Sequence, residues 1–347
     1  MNRTLTRLPA EWEPHRSTIL CWPQYKADWP GKFMPIPWVF AEIVKNLLLA
    51  EESVRLLVSS SREQAKAQWC LQRAGIAAER VEFLAIPTDR GWLRDSAPCF
   101  VKHGTETGAV QFVFNGWAKY DNWRRDRLVP AALAAALSLE LRTAIHGDQG
   151  VVLEGGAMDT NGCGSLLSTR ECLLDPTTQV RNPGFSSQDY ESVFAKYLGV
   201  ANVIWLNQGI AGDDTHGHVD DVCRFVSRDT VVLCRETDST DANYRPLEEN
   251  FEILQDARLE DGGRLQVVSL PMPRALFFAG VRLPASYANF YIANGAVLVP
   301  TFNDPHDRLA LNILQDLFPA RRVVGIHAVD LVWGLGTLHC LSHEEPA

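Results

Sequence analysis

The densest cluster of ionisable side chains in the chain is DDTHGHVDD, residues 213–221. If this segment is extended, alternation places His216, His218 and Asp220 on one face. Two imidazoles and a carboxylate on one face favour proton transfer or metal binding over a solvated acidic turn. Other histidines that could complete a metal shell are His306, His327 and His339. No second tight ligand pair such as C-x-x-C supports a metal site, so both alternatives stay open.

One of the eight cysteines, Cys340, lies near the end of the chain in WGLGTLHCLSHEEPA. Taken alone, such a cysteine is usually an inert core thiol. Gly334 and Gly336 argue for a site, because they let backbone approach closely, which the packing of a core cysteine does not require. A thiolate nucleophile also needs a base or a cation nearby to lower its pKa, and His218 could serve. A thiol–imidazole pair is therefore the alternative to metal binding.

Carboxylates in two further motifs could join Asp220 in holding a cation. Asp95 lies in GWLRDSAP, and Glu154 precedes two glycines in LEGG. Singly, each is an ordinary turn or surface carboxylate. Together, three carboxylates can hold a planar cation through bidentate hydrogen bonds, and a guanidinium is such a cation. A small cationic guanidine is therefore one ligand that these carboxylates could hold.

Short apolar runs bounded by turn residues, such as VRLLVSS and NVIWLNQG, alternate with patterns that predict helices. The helical patterns are WVFAEIVKNLLLAEE, REQAKAQWCLQRAG, AALAAALSLEL, QDYESVFAKYLG and DRLALNILQDLF. Five polar segments recur at intervals of about 60 residues. They contain Asp95, Glu154, Asp220, Asn289 and Cys340. Radial repeats would deliver one such segment each to a shared centre, and no linker interrupts them, so we expect one domain over residues 1–347.

Composition excludes several classes of protein. The 347 residues carry 33 basic and 42 acidic side chains, a formal charge of −9, and no basic run that would track a phosphate backbone, so we expect no nucleic-acid partner. No run of about 18 apolar residues predicts a membrane span. The cysteines form no C-x-x-C pair and most lie in apolar runs, which indicates reduced thiols and a cytoplasmic location. The sequence leaves a homo-oligomer open.

The sequence resembles the agmatine deiminase and bacterial, Porphyromonas-type peptidylarginine deiminase family of the guanidine-modifying (pentein) superfamily. The resemblance runs nearly end to end. The blocks that carry it are PAEWEPHRSTILCWP, GWLRDSAP, FNGW, LEGG, LLSTRECLLDP, GHVDD, SYANFYIANGAVLVPTF and WGLGTLHC. It implies an α/β fold, a five-bladed pseudo-symmetric propeller of ββαβ modules around a central site.

The resemblance also implies roles for the polar segments and a reaction. Cys340 would be the nucleophile and His218 the general acid and base, with Glu154 assisting. Asp95 and Asp220 would clamp the guanidinium, and Asn289 would lie in the site. A thiouronium intermediate would form with loss of ammonia, and water would then release a ureido product, with no metal or organic cofactor. The chain departs from the family in its tail, LSHEEPA in place of an I-T-Q-Q-like sequence, and in Thr337, where relatives commonly have Asn.

Charge at the far end of the pocket predicts the substrate. Agmatine ends in an ammonium, which the acidic pair Asp213 and Asp214 could receive, and its deimination would give N-carbamoylputrescine for putrescine biosynthesis. Arginine and peptidylarginine instead carry a carboxylate. A basic patch in WAKYDNWRRD could bind it, which keeps peptidylarginine or arginine as the alternative substrate. The patch consists of Lys119, Arg124 and Arg125.

Two tryptophans and two other functions complete the expectations. Trp92 lies three residues before Asp95 and could stack on the guanidinium, whereas core packing is at least as good an interpretation for Trp22. A metal-dependent amidohydrolase would use His216 and His218. A non-catalytic binding propeller would have no reason to keep a complete set of reactive side chains.

Overall fold

The computed structural model describes residues 6–347. Within this range the chain forms five sheets of three or four strands, accompanied by two short two-stranded ribbons. Each of the five sheets combines an antiparallel strand pair with a parallel pair, and a helix lies between the parallel strands in the sequence. This is the ββαβ order that the family resemblance implies.

The first sheet pairs the last strand of the chain with a strand from the first 21 residues. Its strands, in spatial order, are Ser342–Pro346, His15–Cys21, Val54–Val58 and Val81–Ala85, and its helices are Ile36–Leu49 and Ser61–Arg73. The last strand runs antiparallel to His15–Cys21, with Ser342 opposite Leu20. A ladder of backbone hydrogen bonds therefore holds the residues that directly follow Cys340, where chain ends usually fray.

The other four sheets repeat this pattern along the chain. The second contains Thr6–Arg7, Cys99–His103, Glu106–Gln111, Leu141–Thr143 and the helix Val129–Ala136. The third contains Asp159–Thr160, Ser165–Thr169, Asn202–Leu206 and the helix Ser187–Leu198. The fourth contains Cys223–Phe225, Thr230–Arg235, Gln266–Pro271 and the helix Tyr244–Asp256. The fifth contains Tyr291–Ile292, Ala296–Thr301, Arg322–His327 and the helix His306–Leu317. The ribbons pair Ile145–His146 with Gln149–Gly150 and Phe277–Phe278 with Val281–Arg282.

Local sequence explains why the helix Ser187–Leu198 begins and ends where it does. The Ser186 and Asp189 side chains each accept a hydrogen bond from the other residue's backbone N–H, which forms a capping box. Gly199 ends the helix in a left-handed conformation, with φ at 71°. The buried face carries Tyr190, Phe194 and Leu198 at four-residue spacing, as the predicted pattern requires.

Short helical turns between the sheets carry the polar segments. Leu93–Ser96 contacts both Leu338–Leu341 and Gly155–Ala157, and Gly155–Ala157 also contacts Val219–Asp221. The Asn289 carbonyl accepts a hydrogen bond from the His339 N–H at 3.2 Å. The five polar segments therefore meet. The remaining turns are Lys26–Asp28, Ala78–Arg80, Asp126–Leu128, Arg170–Leu174 and Leu331–Gly334.

One helix was not anticipated, and one expectation about local structure is wrong. The helix Tyr244–Asp256 was not predicted from the apolar pattern, and only Leu247, Asn250 and Leu254 of its residues are buried. The segment 213–221 is not extended, since it forms turns and then a 3₁₀ helix from Val219. No helix in the described part of the chain has the length and apolar character to cross a membrane.

Candidate active site

The structure brings the five predicted polar segments together around the Cys340 thiol. Cys340 Sγ lies 3.1 Å from Asn289 Nδ2 and 3.7 Å from Asp220 Oδ2. His218 lies between the other two carboxylates, with Nδ1 3.8 Å from Asp95 Oδ1 and Nε2 3.7 Å from Glu154 Oε2. All these side chains are buried. A cysteine, an imidazole and three carboxylates therefore share one site.

Asn289 organises the turn that carries the thiol. Its Oδ1 accepts hydrogen bonds from Thr337 Oγ1 at 2.7 Å and from the His339 N–H at 3.1 Å, while Nδ2 donates to Cys340 Sγ. Thr337, which departs from the family pattern, thus anchors the start of the turn Leu338–Leu341. A side-chain amide that donates to sulfur stabilises the thiolate more than the thiol.

The glycines before Cys340 permit the close approach that the sequence predicted. A Cβ at Gly336 would lie 2.9 Å from Trp92 Cζ3 and 3.2 Å from Cys340 Sγ. A Cβ at Gly334 would lie 2.6 Å from Trp29 Nε1. Backbone therefore packs directly against two tryptophans here, which no other residue type allows.

The charges around Cys340 and His218 favour a thiol at Cys340 and an imidazolium at His218 when no substrate is bound. Burial and the carboxylates of Asp220, Asp221 and Asp95 raise the pKa of Cys340 well above its usual value. Burial lowers the pKa of His218, but the carboxylate of Asp95 and the neighbouring side chains of Cys172 and Glu154 outweigh burial, so the pKa lies well above the usual value. A cation bound next to Cys340 would lower the pKa of the thiol, because positive charge favours the thiolate.

The two aspartates differ in their free oxygen atoms. Asp95 Oδ2 accepts a hydrogen bond from Trp117 Nε1, and Oδ1 accepts one from the Gly156 N–H, both at 2.9 Å. Asp220 Oδ2 lies 2.6 Å from His339 Nδ1. Asp220 Oδ1 has no hydrogen-bond partner among the residues that the structure describes. A buried carboxylate oxygen without a donor is suited to a cationic ligand.

Glu154 is held as a carboxylate by a residue that the sequence analysis missed. Its two oxygens lie 3.3 and 3.2 Å from Arg181 Nε. Burial raises the pKa of Glu154, but Arg181 and His218 outweigh burial and lower it. Arg181 Nη2 also donates to the Thr215 carbonyl at 2.6 Å, which ties Glu154 to the loop before His218. The ionised Glu154 can therefore hold the imidazole of His218 and favour its charged form.

His216 does not share the site with His218, so the predicted common face is wrong. His216 has a left-handed backbone, with φ at 65°, and its Nε2 lies 2.9 Å from Asp175 Oδ2. The turn therefore sends the two imidazoles in different directions. A different group of potential ligands surrounds His218, since atoms of Glu154, Cys172 and His218 lie within 4.8 Å of one another. Cys172 was not a candidate from the sequence.

A cavity of about 240 Å³ opens onto Cys340. Of the predicted residues it is lined by Trp92, Asp95, Asp214 and Cys340. Most of the other lining residues were not predicted from the sequence. The other lining residues are Ala27, Asp28, Pro30, Arg90, Trp117, Tyr120, Thr215, Val281, Trp333, Gly334 and Leu335. The Trp92 ring lies beside that of Trp29, and its Nε1 donates to Asp28 Oδ2 at 3.1 Å. Trp22 lies outside this cavity, in the core against Phe40.

Asp213 does not line the cavity, which corrects the predicted acidic pair. Its Oδ1 accepts from the N–H and hydroxyl of Thr215 at 2.8 and 2.6 Å, and its Oδ2 accepts from the N–H groups of Gly217 and His218 at 2.8 and 2.9 Å. A carboxylate with this many backbone partners shapes the loop. Asp213 therefore holds the backbone of His218 in place.

Of the predicted basic patch, only Lys119 lies near the cavity. Its ammonium pairs with Asp214, whose other oxygen accepts a hydrogen bond from the Tyr120 hydroxyl at 2.6 Å. Arg125 is exposed and its Nε lies 3.8 Å from Asp89 Oδ1, and Arg124 is exposed as well. The cavity has another cation, Arg90, which pairs with Asp28 at 2.8 Å and lies over the Tyr120 ring.

We expect Gly156→Ala to reduce turnover of a guanidine substrate by about 100-fold, because small misplacements at a catalytic site cost this much. The added Cβ would lie 2.5 Å from His218 Nδ1 and 2.9 Å from Asp95 Oδ1, so both side chains must move. Gly108→Ala is the matched control, since its Cβ would meet only side chains, at 3.3 Å or more. Steady-state ammonia release measures both, and a fully active Gly156→Ala enzyme would contradict the observed packing.

Comparison with known proteins shows the family of this chain. The family model of Porphyromonas-type peptidyl-arginine deiminase matches residues 7–346. An agmatine deiminase of Ectopseudomonas mendocina is 33% identical, over 98% of this chain and 95% of that protein. The solved agmatine deiminase of Enterococcus faecalis superposes with a TM-score of 0.88 at 29% identity, covering 98% of this chain and 96% of that one. A solved agmatine deiminase of C. jejuni has a TM-score of 0.85 at 26% identity, covering 99% and 97%. This chain therefore belongs to the Porphyromonas-type peptidyl-arginine deiminase family.

Proposed function

We propose that this protein hydrolyses agmatine to N-carbamoylputrescine and ammonia through a covalent intermediate on Cys340. The observation that carries the proposal is the opening of one cavity onto Asp95, Asp214 and Cys340. The cavity lining offers a thiol beside carboxylates, which suits a guanidinium, and a further carboxylate, that of Asp214, which suits an ammonium. The relatives named above as agmatine deiminases support the same substrate.

In the proposed first step the guanidinium lies between Asp95 and Asp220, next to Cys340 Sγ. Its charge offsets the carboxylates that disfavour the thiolate, so substrate binding releases the thiol proton. The thiolate then attacks the guanidinium carbon. His218, as imidazolium, gives its proton to the departing amine, which leaves as ammonia, and an S-alkylthiouronium remains on the enzyme.

In the second step water replaces the thiol. Neutral His218 takes a proton from water while Glu154, 3.7 Å from Nε2, stabilises the imidazolium that forms. Hydroxide adds to the thiouronium carbon, the carbon–sulfur bond breaks, and the added hydroxyl group loses its proton to solvent as the C=O bond forms. The neutral ureido product leaves with the Cys340 thiolate restored. Water is the one co-reactant, and the carbon keeps its oxidation state throughout.

Selectivity for agmatine would come from Asp214. The Lys119 ammonium that pairs with this carboxylate is on a side chain 40% exposed, so the substrate ammonium can replace it at small cost. The other cation of the cavity, Arg90, already pairs with Asp28 and is less available to the carboxylate of arginine. This balance favours a substrate that ends in a cation.

We expect Asp214→Asn to raise the KM for agmatine by about 10- to 100-fold, the typical worth of one charge-assisted hydrogen bond. Butylguanidine has the same carbon chain without the ammonium, so its KM should not change in this variant. Ammonia release from both compounds, followed over a range of concentrations, measures the difference. An equal loss for the two substrates would mean that Asp214 acts on the fold of the site instead.

The substrate class is tested by comparing ammonia release from agmatine, free arginine and a peptide with C-terminal arginine. Agmatine should give the largest kcat/KM. Lys119→Ala should leave agmatine turnover near that of the wild type, since it only frees Asp214. If Lys119→Ala instead destroys activity toward C-terminal arginine, or if agmatine is the poorest of the three, the agmatine assignment is wrong and peptidylarginine or arginine, whichever has the largest kcat/KM, takes its place.

We also propose that residues 1–347 act as one catalytic domain in the cytoplasm. The pairing of Ser342–Pro346 with His15–Cys21 supports one folding unit, because separating either strand from the rest of the protein would break the first sheet. The eight free thiols support a reducing compartment. Limited proteolysis that released a stable fragment would contradict the single unit.

A further inference from the structure

His339, the residue before the nucleophile, lies between two carboxylates. Its Nδ1 is 2.6 Å from Asp220 Oδ2 and its Nε2 is 2.8 Å from Glu11 Oε2. The side chain is 2% exposed, so water does not compete for either nitrogen. The sequence separation between His339 and Glu11 is 328 residues. The two ends of the chain therefore meet directly beneath the site.

The surroundings of Glu11 require it to be ionised. Its Oε1 accepts a hydrogen bond from the Ile292 N–H at 2.8 Å and lies 3.0 Å from Arg224 Nη2. Its Oε2 lies 3.1 Å from Arg94 Nη2. Burial raises the pKa of Glu11, but Arg224, His339 and Arg94 outweigh burial and lower it well below the usual range.

Asp220 is also a carboxylate. Burial raises its pKa, but His339, His218 and Arg224 outweigh burial and lower it, and the last two of these act independently of the charge on His339. An ionised carboxylate only accepts hydrogen bonds, and a neutral imidazole has one N–H to donate. Two carboxylates, one at each ring nitrogen, therefore call for an N–H at both nitrogens.

We propose that His339 is a doubly protonated imidazolium that positions Asp220 and lowers the electrostatic cost of the Cys340 thiolate. One N–H holds Asp220 Oδ2 and leaves Oδ1 free for the substrate guanidinium. The positive charge offsets Asp220, whose Oδ2 lies 3.7 Å from the sulfur. His339 touches neither substrate nor the reacting carbon, so it is a positioning residue. The proposal rests on the deiminase reaction proposed above.

The charged groups around His339 form one buried network. Glu11 and Asp220 face the ring directly. Behind Glu11 lie Arg94 and Arg224, which pair further with Glu344 at 2.8 Å and with Asp159 at 2.7 Å. Arg94 Nε also donates to the His339 carbonyl at 3.4 Å. Glu344 belongs to the tail that departs from the family pattern, so this tail is part of the support beneath the nucleophile.

The protonation of His339 can be tested on the wild-type protein by NMR of ¹⁵N-labelled histidine. Both ring nitrogens are expected to show shifts in the protonated range, because each of them lies within hydrogen-bond distance of a carboxylate oxygen. A His339→Gln sample identifies the signals. Chemical shifts typical of a neutral imidazole at His339 would overturn the proposal. This measurement uses the wild-type protein, so it does not depend on the activity of a variant.

The effect on the thiol is tested by the pH dependence of Cys340 alkylation by iodoacetamide, read by peptide mapping. In His339→Gln the rise in rate should move to higher pH by about one unit, because a cation close to the thiol is lost. His146→Gln is the control, since this histidine lies 3.2 Å from Asp189 and contacts neither Asp220 nor Glu11. If the pH dependence of alkylation is unchanged in His339→Gln while its Tm is lowered, His339 acts only on the stability of the fold.

Turnover separates this proposal from the proposed function. His339→Gln should raise the KM for agmatine by about tenfold, the lower range for a charge-assisted hydrogen bond, because Asp220 loses its orientation. The alkylation profile needs no substrate, so it reports on His339 even if agmatine proves to be a poor substrate. An unshifted profile together with a wild-type KM would overturn the positioning role and leave the deiminase assignment intact.

Discussion

Cys340→Ala is expected to slow ammonia release from agmatine by about 10⁴-fold or more, as removal of a covalent nucleophile typically does. Within residues 6–347 no other cysteine lines the cavity, so no thiol can take its place. Agmatine should still bind, because Asp95 and Asp220 keep their partners in Trp117 and His339. Isothermal titration of the variant measures this binding separately from turnover.

Two controls test whether the loss of activity in Cys340→Ala is specific to this thiol and independent of a metal. Cys163→Ser removes an exposed thiol and should retain wild-type turnover. Wild-type enzyme treated with a chelator should also retain activity, since the proposed steps use only side chains of the protein, substrate and water. Activity that survives in Cys340→Ala, or that is lost on chelation and restored by a divalent metal, would favour the metal-dependent amidohydrolase instead.

Selective labelling follows from the same geometry. A haloacetamidine mimics a guanidinium, so the aspartates should direct it to Cys340 ahead of the other seven cysteines. Neutral iodoacetamide lacks this charge and should discriminate less. Peptide mapping that shows uniform labelling, or labelling led by Cys70, would contradict a site formed before substrate binds.

The sequence predicted those parts of the site that have motifs of their own. Asp95, Glu154, Asp220 and Cys340 each lie in a short segment at a similar interval, and a repeated ββαβ fold brings such segments together. Asn289 was assigned by resemblance, and its amide lies 3.1 Å from the sulfur. Spacing along the chain was sufficient here because each repeat presents the same connection to the centre.

The sequence could not predict which neighbour each carboxylate would bind. Asp213 and Asp214 are adjacent, yet Asp213 accepts hydrogen bonds from backbone N–H groups whereas Asp214 lines the cavity. This difference depends on the path of the loop. His216 and His218 separate for the same reason, since a left-handed residue breaks the alternation of an extended segment. The contact between Glu11 and His339 depends on the whole fold.

The pH profile of kcat/KM should have its maximum above neutrality, because the pKa values of both Cys340 and His218 are raised. The rate rises with pH as the Cys340 thiol is ionised. It falls at higher pH as the His218 imidazolium, the acid that protonates ammonia, loses its proton through its raised pKa. A maximum below about pH 6.5, the ordinary pKa of histidine, would contradict this assignment of proton states.

His218→Gln is expected to lower kcat by about 10³-fold, within the range for loss of a general acid and base. Its profile should lose the descending limb, since no imidazolium remains to be deprotonated, and keep the ascending limb of Cys340. His216→Gln is the matched control two residues away, because that imidazole binds Asp175 outside the site and should leave the rate near that of the wild type. A descending limb that persists unchanged in His218→Gln would assign the acid to a different group, and the buried imidazole between Asp95 and Glu154 would then serve only to balance their charges.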